Sequence, residues 1–120
     1  MKTTEFEEML QLLKQATLSG KLEWFMTANS KVSFSTLING CTIVISNFYD
    51  NVGMSNKAAV EMLNASGESF KKNVYSQSVK PERYDQIKEI FDVIKDRYYK
   101  ISESEKLILS GLRELTDDKG

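Results

Sequence analysis

The segment SFSTLINGCTIVIS, residues 33–46, decides the fold that this sequence predicts. Apolar and polar residues alternate on both sides of Asn39-Gly40, and a period of two residues is typical of a strand with one buried face. Asn-Gly favours a type I′ turn, because both residues accept positive φ angles. Such a turn fixes the register of a hairpin and places three facing pairs on one face: Phe34 with Ile45, Thr36 with Ile43, and Ile38 with Cys41.

The two faces of this hairpin differ in polarity. The first face is apolar, so Cys41 is predicted to be buried and to behave as a small hydrophobic residue. The opposite face is more polar and carries six alternating residues: Ser33, Ser35, Leu37, Thr42, Val44 and Ser46. A core is therefore expected on the first face.

The residues before the hairpin predict a helix. Thr4 and Glu7 fit a capping box at its start, and apolar residues recur at helical spacing from Phe6 onwards. Ser19-Gly20 is a typical helix end, because glycine readily takes the left-handed conformation of a C-terminal cap.

A short strand is predicted between this helix and the hairpin. Leu22, Trp24 and Met26 alternate with their neighbours, and residues 28–30 form a polar turn. Trp24 lies on the apolar alternation directly after the helix, so we interpret it as a core residue rather than a ligand-stacking one.

The residues after the hairpin predict the rest of the sheet. A polar loop spans residues 50–56 and a fourth strand spans 58–63. A turn at 64–69 leads into a short fifth strand that ends at Phe70, and the polar residues 71–80 are expected to connect it over the surface.

The last third of the chain predicts helical structure. Pro81 suits a first helical turn, and apolar residues from Tyr84 to Ile101 recur at steps of three and four. Ser102 and Glu105 fit a second capping box, which favours a break and a third helix that folds back on the domain. The alternative is one continuous helix, whose far end would need another chain to cover it. The break favours a monomer or weak homodimer.

Together these elements predict an α+β protein, because helices and strands are grouped rather than alternating. We expect an N-terminal helix, a four- to five-stranded antiparallel meander, and one or two C-terminal helices on one sheet face. Residues 1–116 form a single domain in this interpretation, and residues 117–120 form a frayed tail.

Three segments carry a resemblance: LLKQATLSGKLEW at 12–24, INGCTIVIS at 38–46 and VEMLNASGE at 60–68. In this order they resemble a group of small bacterial proteins without an established activity. The resemblance implies a helix, a meander sheet and C-terminal helices, and an accessory role in bacteria and their mobile elements. It implies no catalytic residues.

Composition narrows the classes of function. Sixteen basic and 17 acidic residues leave a net charge of −1, which gives no global attraction to nucleic acid or an anionic membrane. The chain has no histidine and one cysteine, so the usual triads and zinc sites cannot be built. We expect no catalytic residues, cofactor or metal. No apolar run predicts a signal peptide or a membrane span, so a cytoplasmic protein is expected.

The sequence favours a non-enzymatic protein-interaction module, with an inhibitor or immunity-type accessory protein as a specific role. Candidate interface residues are the apolar members of the more polar sheet face and two further aromatic residues: Phe25, Leu37, Val44, Tyr49 and Tyr99. The alternatives are a small enzyme without histidine chemistry and a nucleic-acid-binding accessory protein. Lys88, Lys95 and Lys100 would serve the latter, but acidic residues interrupt them.

Overall fold

The computed structural model describes residues 1–27 and 32–117 and has seven elements among them. In chain order these are α1 (Thr3–Leu18), β1 (Phe25–Met26), β2 (Ser33–Ile38), β3 (Cys41–Asp50), β4 (Ser55–Leu63), β5 (Ser69–Ser76) and α2 (Pro81–Thr116). The predicted turn at 28–30 and the tail beyond residue 117 lie outside the described residues.

The five strands form one antiparallel meander in the order β1-β2-β3-β4-β5. Both helices pack on the same face of this sheet, side by side, and the core lies between the two layers. The predicted α+β class and its arrangement are confirmed. We call the uncovered side of the sheet the open face.

The central hairpin has the predicted register. Asn39 and Gly40 have φ angles of 51° and 79°, as a type I′ turn requires. Phe34 pairs with Ile45, and both side chains are fully buried under the helices. Cys41 is half-buried rather than buried as predicted, because it lies beside the turn, at the end of the strand.

Helix α1 ends where the sequence predicts but begins earlier. Its first residue is Thr3, and the Lys2 amide donates to the Glu5 carboxylate at 3.4 Å, so the predicted capping box at Thr4 is wrong. At the other end, Gly20 has a φ of 73°. Its N–H donates to the Thr17 carbonyl and the next N–H to the Ala16 carbonyl, which is the Schellman pattern.

Trp24 is a core residue, as predicted. Its side chain is buried, and the indole Nε1–H donates to Thr17 Oγ1 at 3.0 Å. That hydroxyl in turn donates to the Leu13 carbonyl at 2.7 Å. The last turns of α1 thus satisfy the one polar group of an otherwise apolar ring.

Strand β5 is longer than predicted. It runs from Ser69 to Ser76 through residues that the sequence analysis interpreted as a surface connection. Its pairing with β4 shifts by one residue at a bulge next to Leu63. An edge strand tolerates polar residues, because one of its faces is solvated. Backbone pairing with β4 therefore forms the strand although its sequence has few of the apolar residues that predict one.

Helix α2 is continuous, so the favoured break at Ser102 is wrong. The helix has 36 residues, which at ~1.5 Å per residue gives roughly 54 Å. Inside it, Ser104 Oγ donates back to the Lys100 carbonyl at 2.9 Å. Breaking the helix would forfeit several backbone hydrogen bonds, whereas serine and glutamate in an exposed turn cost little.

Candidate protein-interaction surfaces

The first half of α2 packs tightly on the sheet. It begins over β5, where the Arg83 guanidinium lies 6.0 Å from the centre of the Tyr75 ring. The helix leaves the sheet over β2, where two of its aromatic rings pack on Phe34. The ring centroid of Phe34 lies 5.6 Å from that of Phe91 and 5.3 Å from that of Tyr98. The buried residues of α2 there are Tyr84, Ile87, Ile90, Phe91 and Ile94.

The second half of α2 extends beyond the domain. We call residues 103–116 the projecting segment. The described molecule is 64 Å long but only 34 by 26 Å across, as a long helix leaving a small body requires. Every side-chain hydrogen bond and ion pair found for the segment in the described structure stays inside α2; an example is Lys106 with Glu103 at 3.8 Å.

The projecting segment is unusually apolar for a helix in water. Five large side chains are between 48% and 78% exposed: Leu107, Ile108, Leu109, Leu112 and Leu115. At ~100° per residue they cover about 200° of the helix circumference. A helix with so wide an apolar arc is normally covered by other protein.

A groove lies at the base of this segment, between α2 and the residues around β1. This basal groove has a volume of about 550 Å³. Its lining residues include the apolar and aromatic Leu22, Trp24, Phe25, Tyr98 and Ile101 and the charged Glu23, Arg97 and Glu105. It continues the apolar line of α2 from the body into the projecting segment.

The open face brings together three of the predicted interface residues. The sheet register puts Phe25, Ser35 and Val44 in one cross-strand row, and Leu37 lies two residues further along β2. Phe25 and Leu37 are 54% and 66% exposed, and Val44 is half-buried. The face also carries the ion pair of Asp50 and Lys57 at 2.6 Å. The Lys57 ammonium, followed by hydrogen bonds from the Gly53 and Val52 amides, lowers the pKa of Asp50.

The other two predicted interface residues lie elsewhere. Tyr49 is exposed, but the pairing of β3 with β4 puts it on the helix side of the sheet. Tyr99 is half-buried on α2, edge-on to Tyr98 with centroids 5.5 Å apart. The five residues therefore do not form one surface. No residue between Leu107 and Leu115 was among the predicted interface residues. The alternative of one continuous helix nevertheless required another chain to cover Ile108, Leu112 and Leu115, whose spacing of three and four continues the apolar line.

Two lysines on the surface of α2 form ordinary ion pairs with aspartates of the same helix. Asp92 accepts from Lys88 at 2.6 Å and raises the pKa of that lysine, and Asp96 pairs with Lys100 at 3.0 Å. Within residues 1–27 and 32–117, no group of three or more acidic or cysteine residues could hold a metal ion. No helix in the same residues is long and apolar enough to cross a membrane.

No family model, curated protein or solved structure matches this chain. The observed order of helix, sheet and long helix agrees with the fold that the resemblance implies. Membership in that bacterial group stays a prediction.

Proposed function

We propose that this chain is a non-enzymatic protein-interaction module and that the projecting segment is its binding element. One observation carries the proposal: five large apolar side chains stand exposed on a helix that has left its own domain. Patches of this kind on a soluble domain mark protein-interaction sites, because removing apolar surface from contact with water lowers the free energy.

The energetics indicate that the partner also binds beside the segment. Fully covering a Leu or Ile side chain contributes about 1.5–3 kcal/mol, so five partly exposed side chains offer roughly 5–10 kcal/mol. Association itself costs ~4–15 kcal/mol. A stable complex therefore needs further contacts, and the basal groove is the apolar surface adjoining the first turn of the segment.

The charge pattern of α2 supports a protein rather than a nucleic acid as the partner. Two of the three lysines that would contact phosphates, Lys88 and Lys100, are paired with aspartates one turn away. A duplex would have to compete with both pairs.

We further propose an accessory role in the bacterial cytoplasm, of the inhibitor or immunity type. A lone, half-buried Cys41 without a disulfide is compatible with a reducing compartment. An inhibitor needs a rigid, protruding element more than catalytic groups, and the projecting segment is such an element.

The proposal is tested by affinity capture from the native cell with tagged wild-type chain and with the double variant Leu112→Asp, Leu115→Asp. Neither residue contacts the body, so the variant is expected to keep its urea midpoint while losing bound protein. The double variant Val52→Asp, Met54→Asp is the matched control, because it places the same two charges on side chains that are 95% and 77% exposed in a distant turn. Equal capture by the wild type and the double variant would contradict the proposal.

A further inference from the structure

We propose that the partner of the projecting segment is a second copy of this chain, docked antiparallel along α2 with its helix end in the basal groove. This inference rests on the proposed function and names the partner. It follows from the spacing, length, charge and small residues of the second half of α2.

The apolar line of α2 is self-complementary when read in the opposite direction. Beyond Ile94 it continues at steps of three and four through six positions: Tyr98, Ile101, Glu105, Ile108, Leu112 and Leu115. In an antiparallel pair such positions face each other in alternating layers. Ile101 then meets the partner's Leu112, Tyr98 meets the partner's Leu115, and Glu105 meets the partner's Ile108. Each copy thus covers the exposed line of the other.

The body of the domain excludes a parallel pair. Between Tyr84 and Ile94 the apolar line of α2 is filled by its own sheet. Two parallel copies would place both bodies at the same level and on the same side, where they would overlap. We call the line of contact between the two helices the seam. A parallel pair would also set the two Glu105 carboxylates opposite each other in the seam, where like charges repel. In the antiparallel pair the bodies lie at opposite ends.

The length of the helix matches this arrangement. With Tyr98 facing the partner's Leu115, the partner helix ends at Thr116, which is level with Arg97. That is where the body of the first copy begins to fill the seam. The overlap therefore uses the free part of each helix and stops at the basal groove.

The basal groove contains one cation that suits a helix end, Arg97, beside two acidic residues, Glu23 and Glu105. The C-terminus of a helix carries partial negative charge, and here the carboxylate of Asp117 follows it. Arg97 lines the groove and donates to the Leu18 carbonyl at a long 3.4 Å. It forms no ion pair with any acid in the described ranges, so its guanidinium is available to the partner's helix end.

Gly111 supports close contact at the flank of this seam. Glycine destabilises a helix interior relative to alanine, and a Cβ at this position would meet open space in its own chain. The fold of a single chain therefore does not explain why residue 111 is a glycine. In the antiparallel pair Gly111 lies beside the partner's Ser104, where small residues let two backbones approach.

Sedimentation equilibrium over a wide concentration range tests the inference. The wild type is expected to form a species of twice the 13.7 kDa chain mass, and Leu112→Asp is expected to be a folded monomer. Ser110→Asp is the matched control: it places the same charge on an exposed residue on the side of the helix opposite the seam, so this variant should stay dimeric. Leu115→Asp gives a second seam variant, and circular dichroism checks that each variant is folded.

Spin labels test the direction of the pair. In a Cys41→Ser background, a nitroxide on Lys95→Cys is expected about 35 Å from its mate in the antiparallel dimer, at ~1.5 Å per residue. A parallel pair would bring the labels to within roughly 20 Å, since paired helices lie about 10 Å apart.

Three outcomes would overturn the inference: a wild type that stays monomeric, a dimer that Leu112→Asp leaves intact, or the short label distance. A monomer that still captures a different protein through Leu112 and Leu115 would leave the proposed function standing. A monomer that captures nothing would remove both.

Discussion

The two halves of α2 have the same apolar spacing and opposite surroundings. In the body half, residues 81–98, the spacing meets a sheet and a second helix, and Ile87 and Ile94 are fully buried. In the projecting segment the spacing continues, yet Leu112 and Leu115 are more than half exposed. Periodicity therefore predicts which face of a helix is covered, but not whether the cover belongs to the same chain.

The largest difference between the halves is expected from truncating one apolar residue in each. Ile94→Ala removes a fully buried side chain and leaves a cavity, so the free energy of unfolding should fall by about 2–5 kcal/mol. Leu112→Ala should change it by less than ~0.5 kcal/mol in dilute solution, where the segment is uncovered. Urea denaturation at low protein concentration measures both. Similar losses for the two variants would mean that the segment folds back on its own body.

A smaller contrast in stability is expected when either of two glycines is replaced by alanine. Gly20 has a positive φ and its added Cβ would lie 3.1 Å from Arg97 Nη2, so Gly20→Ala should cost about 1–2 kcal/mol. Gly111→Ala meets open space within a regular helix and should raise the helical signal of the dilute protein, because alanine favours a helix by ~0.5–1 kcal/mol. Thermal melts and circular dichroism compare them. A destabilising Gly111→Ala in dilute protein would show an intramolecular contact there.

The smallest contrast concerns ion pairs on the helix surface. Lys88→Met removes a pair with Asp92 in the body half and should cost about 0.3 kcal/mol, which high salt reduces. Asp92 raises the pKa of Lys88, so this contribution is present below the unfolded pKa of ~10.4 and is lost as pH rises through the folded pKa. Lys106→Met removes the pair with Glu103 in the projecting segment and should leave global unfolding unchanged. Urea midpoints at two salt concentrations and from neutral to alkaline pH detect the difference; an equal effect in both halves would refute it.

The central hairpin shows how far local chemistry predicts this fold. Asn39-Gly40 permits one turn type, and that turn fixes the facing of Phe34 with Ile45. The end of α1 at Gly20 is equally local, since a left-handed residue and two backbone hydrogen bonds define it. Such features depend on a few neighbouring residues, so the sequence predicts them well.

Features that depend on competition between distant parts were predicted less well. A capping signal at Ser102 competes with the backbone hydrogen bonds of a continuous helix, and the helix prevails. The polar run after Phe70 competes with the unpaired edge of β4, and strand pairing prevails. For the candidate surfaces, strand register groups Phe25, Leu37 and Val44 and places Tyr49 on the opposite side of the sheet. The position of Tyr99 requires the packing of α2 on the sheet.

The central claim is that the body half of α2 is covered by its own chain and the projecting segment by a second copy. The most direct test is hydrogen exchange along α2, measured as a function of protein concentration. We expect the amides of residues 84–98 to be protected at every concentration, because their own domain buries that half. Amides of residues 103–116 should exchange quickly in dilute protein and become protected as concentration rises, since a second copy then covers them. Protection of this segment that does not change with concentration would contradict the account.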